Sequence, residues 1–284
     1  MVLLVRFGEI ALKSRFVRRQ LRDRLIGNIQ DLFAAEGVEC VTEADEARVY
    51  VHADEVERAH GILARVFGVV SLSPATETGS DMESLRRAVL EQAGRSLARG
   101  ATFAIRPRRV GTHPFTSQDI ARELGTAVRN ANPTARVDLS TPDVEIHIEV
   151  RRNRGFVFRA IWPGPGGLPL GSQGRGLALV EDEAGMVAAW MGMKRGCRLA
   201  VAASEDGAIV EPLRRWDVHL KVLDGRDRLE ELIKLARADA VFLGTRWTSF
   251  RPEKRPVLPV PIFEPVIGLT DEEIRRLASQ IRAA

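Results

Sequence analysis

The segment WPGPGGLPLGSQGRG, residues 162–176, constrains this chain more than any other feature. Glycine and proline at that density end helices and central strands, so the segment reads as a linker and the chain divides there. A chain of 284 residues is also too long for one ordinary core, and two or three domains are expected. The two sides of the linker differ in pattern. Beyond it, short apolar strands alternate with helices, which predicts a small parallel sheet of the Rossmann kind, an α/β architecture. Before it the order is βαββαβ, followed by a second group of helices and strands, an α+β arrangement.

The first group covers residues 1–75 and reads as ferredoxin-like. A strand at 2–7 precedes a helix with Phe16, Leu21, Leu25, Ile29, Leu32 and Phe33 near helical spacing, Ser14 as N-cap and Gly37 as stop. CVTEADEARVYVHA reads as a hairpin, the next helix carries Val56, Ala59, Leu63 and Val66, and SLSPATET closes the unit as a strand. The second group covers 76–170. It opens with a helix whose Ser80 and Glu83 match a capping box. A strand at 102–106, a basic loop, a helix near 117–130 and the alternating strand EIHIEV follow. The third group, 171–284, holds strands at LALV, CRLAVAAS, DVHLKVL and DAVFLGT, with helices between and a terminal helix TDEEIRRLASQIRA.

Composition narrows the class. Apolar residues make up 45% and charged residues 28%, the balance of a globular protein, and no apolar run reaches membrane-spanning length. The N-terminus MVLLVRFGEI lacks the features of a signal peptide, so the expected compartment is the cytoplasm, without membrane. Two cysteines, Cys40 and Cys197, in no Cys-x-x-Cys pair, and five scattered histidines give neither a disulfide framework nor a metal site. The formal charge of +4 resides in the middle group: 14 basic residues against 10 acidic, every basic one arginine. Arginine pairs with phosphates and stacks on bases. An arginine-rich, solvated surface has the same composition.

The junction GRGLALVEDEAGMVAAWMGMKRG, residues 174–196, passes from strand to helix through Glu181-Asp182-Glu183, with the helix expected from Met186 to Lys194. In nucleotide-binding folds such a junction is a glycine-rich phosphate loop. Here only Gly185 is small and flexible. Unit charges about 4 Å apart at an effective dielectric near 20 repel by about 4 kcal/mol each, so these acids oppose a triphosphate and cap the helix themselves.

Four patches together resemble the tRNA 4-thiouridine synthetase (tRNA sulfurtransferase) family: RFGEIALKSR with the helix after it; RPRRVGTHPFTSQDIARELG with RVDLSTPDVEIHIEV; GPGGLPLGSQGRGLAL; and VAAWMGMKRGC with the terminal PVIGLTDEEIRRLASQI. The resemblance implies a ferredoxin-like domain, a THUMP RNA-binding domain and a PP-loop-like domain. It also marks departures. Where the family has Ser-Gly-Gly-x-Asp-Ser, this chain has Val180 to Gly185. Where it has Glu-Ser-Leu-Gly-Gln, this chain has Thr245-Arg246-Trp247-Thr248-Ser249, and a family lysine stands as Asp271. The family's pair of sulfur-handling cysteines has no counterpart in Cys40 and Cys197. The degenerate loop therefore comprises Glu181, Asp182, Glu183 and Gly185, with no catalytic residue and no cofactor expected.

What stays is RNA binding. Arg106, Arg108 and Arg109 are expected to leave their strand together, with His113 and Ser117 at the helix entrance and Arg151, Arg152 and Arg154 in a second turn. Lys13, Arg15, Arg18 and Arg19 sit at a helix start, where cations oppose the dipole. The four tryptophans, Trp162, Trp190, Trp216 and Trp247, are expected in core or interdomain packing rather than as stacking platforms. The resulting expectation is a tRNA-binding protein, recognising the acceptor end, that does not adenylate and serves a partner modification enzyme. Two alternatives stay open: an active sulfurtransferase with a non-standard ATP site, and a homodimeric scaffold.

Overall fold

The computed structural model describes residues 1–8, 14–203, 207–224 and 228–284, with the side chain of Lys254 excepted. In chain order the elements are β1 (Val2–Phe7), α1 (Arg15–Ala35), β2 (Val41–Ala44), β3 (Val49–His52), α2 (Val56–Leu63), β4 (Val69–Gly79), α3 (Met82–Ser96) and β5 (Thr102–Val110). There follow α4 (Ser117–Ala131), β6 (Arg136–Val137), β7 (Val144–Arg151), β8 (Arg154–Phe158) and β9 (Trp162–Pro163). The remainder comprises β10 (Arg175–Leu179), α5 (Glu183–Lys194), β11 (Arg198–Ala202), α6 (Glu211–Arg214), β12 (Lys221–Leu223), α7 (Leu229–Ala236), β13 (Ala240–Phe242), β14 (Ile262–Phe263) and α8 (Asp271–Ala283). They form two compact units: residues 1–4, 50–56 and 72–162 in one, and 5–49, 57–71 and 163–284 in the other.

The first unit rests on a sheet whose path includes β4-β8-β7-β5-β6. β5 and β7 run parallel, with Ile105 opposite Ile146 and Pro107 opposite Ile148, and β7 and β8 are antiparallel. Period-two alternation sends Phe103, Ile105, Ile146, Ile148 and Val150 to one face, where α3 and α4 cover them with Leu85, Val89, Ile120, Leu124 and Val128. α4 is started by Thr116, whose hydroxyl accepts from the amide of Asp119 at 3.1 Å while Asp119 accepts from the amide of Thr116 at 2.9 Å. α3 is capped by Asp81, which accepts from the Ser84 amide at 2.8 Å, rather than by Ser80. β5 also corrects the expected basic loop: it runs on to Val110, through Arg106, Pro107, Arg108 and Arg109. Its neighbour β6 reaches only Thr102 and Phe103, so Pro107 sits on a half-open edge where a missing N–H is tolerated.

The second unit contains a five-stranded parallel sheet in the order β12-β11-β10-β13-β14. The central strands β10, β11 and β13 are buried on both faces, as a parallel sheet between helices requires, while the edge strands β12 and β14 are partly exposed. Ala178, Leu199 and Val201 face the side covered by α5 and α8, while Leu177, Ala200 and Ala202 face the side of α7. α5 is apolar all round, with nine buried residues. The buried face of α1 carries Leu21, Leu25, Asn28, Ile29, Leu32 and Phe33, and Asn28 donates to the carbonyl of Leu170 at 3.1 Å. Phe67 stacks on Trp216 (centroids 5.0 Å, 22°) and meets Trp190 edge-on (5.7 Å, 63°).

Glu36, just after α1, pairs with the buried guanidinium of Arg65 at 2.5 Å, and this hydrogen bond holds its carboxyl below the ordinary value near 4.5. Because the folded pKa is the lower one, this stabilisation is complete above the ordinary value and is lost as pH falls through the lowered one. A thermal midpoint that drops between pH 5 and 3, and drops less in Glu36→Gln, is the expected result of a scanning calorimetry series. Identical slopes for the two proteins would remove the pair from the account.

Candidate nucleotide loop and nucleic-acid interface

The strand-to-helix junction forms at the carboxyl end of β10. α5 begins at Glu183, three residues earlier than the periodicity of its apolar residues suggests, because Asp182 is an effective N-cap. Its Oδ1 accepts from the Gly185 amide at 2.9 Å, and its carbonyl accepts from the Met186 amide at 3.0 Å. The other carboxylate oxygen of Asp182 pairs with Arg246 Nη1 at 2.9 Å, and Arg246 Nε lies 3.4 Å from Asp271. Glu183 pairs with Arg282 at 2.6 Å. The acids are thus not merely a solvated cap. Of the three, one caps the helix and two hold arginines brought from β13's far end and from α8.

Backbone approach closes the site further. A Cβ on Gly244 would lie 2.3 Å from the Gly185 nitrogen, and one on Gly185 would lie 2.7 Å from the Leu179 carbonyl. Glycine is therefore required at both positions for packing, with no phosphate involved. A triphosphate needs free amides at the helix N-terminus and a positive or neutral rim. Here the Gly185 amide is occupied, and Asp182, Glu183 and Asp271 face two guanidinium groups, Arg246 and Arg282. The described residues of this junction do not offer the free amides and the neutral or positive rim that a triphosphate needs. Among the described residues there is also no group of three acids, histidines or cysteines that would hold a metal ion. Burial pushes the thiols of Cys40 and Cys197 up, away from the nucleophilic thiolate.

The cap carries a stability prediction. Asp182→Ala should cost about 1–2 kcal/mol, from a lost N-cap and a partly exposed ion pair. Asp182→Asn keeps the cap and should cost under about 1 kcal/mol. Urea unfolding that ranks the two variants equally would show that the hydrogen bond to Gly185 does not matter.

The basic residues of the first unit sort differently from their sequence grouping. Alternation along β5 puts Arg106 and Arg108 on one face and Arg109 on the other. Arg106 is engaged: Nε meets Glu145 at 2.7 Å and Nη2 donates to the Leu139 carbonyl at 2.8 Å. Arg108 is exposed. Arg109 Nη1 donates to the Gly111 carbonyl at 2.7 Å and lies 3.4 Å from His113 Nδ1. His113 Nε2 sits 2.6 Å from the Arg152 carbonyl, which can only accept, so the imidazole donates from Nε2 and presents Nδ1 to Arg109. Phe115 stacks on the same imidazole at 5.6 Å.

Arg152 therefore belongs with Arg109 and His113, at the carboxyl ends of β5 and β7. Of the rest of its expected cluster, Arg151 is buried and Arg154 half-buried, each held by an acid. Arg151 is only 8% exposed and pairs with buried Glu149 at 3.2 Å. Arg154 grips Glu77 with Nε and Nη2 (2.5 and 2.9 Å) and lies 4.4 Å over the Tyr50 ring. Ser117 is the first residue of α4, half-buried, and the capping hydroxyl is that of Thr116. In the second unit, Arg15 and Arg19 are exposed at the start of α1, Arg18 is half-buried, and no acid occupies that first turn. Lys13 lies outside the described residues. Sequence reasoning missed two exposed aromatics: Phe16, 70% exposed beside those arginines, and Trp247, 73% exposed.

This architecture defines a class: a ferredoxin-like and a THUMP domain followed by a Rossmann-like parallel-sheet part. The family model for the ThiI ferredoxin-like domain matches residues 2–73, and that for the THUMP domain matches 79–158. The chain is 40% identical over 213 residues to the probable tRNA sulfurtransferase of Methanothermobacter thermautotrophicus, covering 73% of this chain and 53% of that protein. It is 38% identical over 205 residues to the tRNA sulfurtransferase of Pyrobaculum aerophilum, covering 70% and 41%. PH1313 from Pyrococcus horikoshii shares the fold over 99% of both chains, with a TM-score of 0.84 and 28% identity. A 4-thiouridine synthetase solved as an RNA complex with bound ATP matches with a TM-score of 0.80 at 21% identity, over 99% of this chain and 84% of that one. The chain is thus a relative of the tRNA sulfurtransferases that carries their ferredoxin-like and THUMP domains and spans about half the length of the curated relatives it matches. No described helix is long and apolar enough to cross a membrane.

Proposed function

We propose that this chain is a tRNA-binding THUMP protein of the cytoplasm that does not adenylate its RNA. It holds the acceptor end of tRNA and serves a partner modification enzyme that supplies the chemistry. Residues 1–75, 76–170 and 171–284 are its three functional segments. The observation that carries this reading is the closure of α5's N-terminus by Asp182, with Arg246 bridging Asp182 to Asp271. Three positions at which the sequence departs from the sulfurtransferase pattern meet at one point, and their charges compensate one another there. That is the signature of a site rebuilt for stability after its ligand was lost.

The RNA-binding half of the reading is supported by Arg108, Arg109 and Arg152 at one edge of the THUMP sheet, and by the names of the relatives. Guanidinium groups on such an edge release counterions when they meet phosphates, so affinity falls linearly in log–log form with salt. Filter binding of intact tRNA at several salt concentrations tests it: a steep negative slope is expected, and affinity indifferent to salt would end the proposal.

A further inference from the structure

We propose that the loop 246–255 is a stacking ledge for single-stranded RNA; the idea rests on the reading of the chain as an RNA-binding protein. Tryptophan normally buries most of its surface, yet Trp247 is 73% exposed. Its indole lies nearly parallel to the Phe250 ring, 12° apart with centroids at 6.3 Å. The loop is held in shape from within. Ser249 Oγ donates to the Arg246 carbonyl at 3.1 Å and accepts from the Arg246 amide at 3.3 Å. Arg251 Nη1 donates to the carbonyls of Phe250 (2.8 Å) and Thr248 (3.3 Å), and Arg255 Nη2 donates to that of Ile262 at 3.1 Å.

Charge selects the occupant. Within the segment 246–255, Arg246 is paired with Asp182 and Asp271 and Arg255 with Glu264, while Arg251 is exposed and Lys254 adds a further cation to the sequence against the acid Glu253. An exposed indole backed by the half-buried ring of Phe250 and set among arginines suits unpaired bases, whose faces stack while their phosphates meet guanidinium groups. Position agrees. The loop leaves the carboxyl end of β13, beside β10, where the order β12-β11-β10-β13-β14 reverses direction. Ligands of open parallel sheets bind outside the strand ends at that point. With the mouth of α5 closed by Asp182 and Arg246, the ledge that starts at Trp247 is what this edge still offers to an anionic polymer.

The test uses the full chain and two probes, a fluorescein-labelled ten-nucleotide oligoadenylate and intact tRNA, with anionic vesicles as a third arm. Trp247→Ala should weaken oligoadenylate binding about tenfold, Trp247→Phe should retain most of it, and the unfolding midpoint should not move. Oligoadenylate bound equally by wild type and Trp247→Ala, not bound by the wild type, or a tryptophan effect confined to vesicles, would each overturn the ledge. Wild-type protein that fails to bind intact tRNA overturns the functional reading instead, and the two failures are separately visible.

Discussion

Arg109→Glu combined with Arg152→Glu is expected to lower the affinity for intact tRNA by about a hundredfold or more. Each arginine, if it meets a phosphate, contributes a charged hydrogen bond of about 1.5–3 kcal/mol, and two such losses reach roughly 3 kcal/mol or above. The salt slope should become shallower by about 0.7–0.9 per contact removed. Arg152 provides a control with effects of opposite sign. It holds φ at 53°, the left-handed region that costs a side chain about 1–2 kcal/mol, while glycine adopts it freely. Arg152→Gly should therefore leave stability unchanged or raise it by up to about 1 kcal/mol, yet still weaken tRNA binding. A strained residue whose removal costs neither stability nor affinity would have no role in this account.

Phe67→Ala should be the most damaging single substitution for the second unit, at about 3–5 kcal/mol. Phe67 is 1% exposed and joins the cluster with Trp190 and Trp216, whose rings meet each other at 5.4 Å and 84°. Trp216 is fixed from the other side by donating its Nε1–H to the Ile281 carbonyl at 3.2 Å. Removing the phenyl ring leaves a cavity under two rigid indoles that have little freedom to collapse into it, in addition to the lost aromatic contacts. Phe67→Leu keeps most of the volume and should cost under about 1.5 kcal/mol. Urea unfolding followed by tryptophan fluorescence measures both. A loss below about 1.5 kcal/mol for Phe67→Ala would mean that this cluster does not hold residues 57–71 to the parallel-sheet part.

The elements legible in the sequence were those with clean periodicity and local caps. α1 ends where Gly37 takes a φ of +64°, β7 alternates through EIHIEV, and α8 is capped by Thr270. β5 was cut short at Arg106 because proline and arginine read as a strand end. Only the sheet path shows that Pro107 lies on an edge that tolerates it. Phe16 falls near the apolar spacing of α1 and Trp247 is placed by residue type, and neither signal says where the first helix turn or the loop faces.

The site was harder still. Arginines look alike in sequence, and what separates Arg151 and Arg154 from Arg109 and Arg152 is the presence of Glu149 two residues away on the same strand and of Glu77 on the neighbouring one. The acid triad was visible as a break in a phosphate loop. Its partners Arg246 and Arg282 lie on other elements, and long-range ion pairs leave no local trace. Trp247 had one signal available: an aromatic residue inside a run of arginines with no apolar periodicity around it.

The central claim, that α5's N-terminus is closed to nucleotide, is tested most directly by tRNA-dependent exchange of labelled pyrophosphate into ATP with the pure full chain. The account predicts no exchange above the protein-free control at saturating tRNA and millimolar ATP. Exchange that depends on both tRNA and protein, and is abolished by Asp182→Ala, would contradict it.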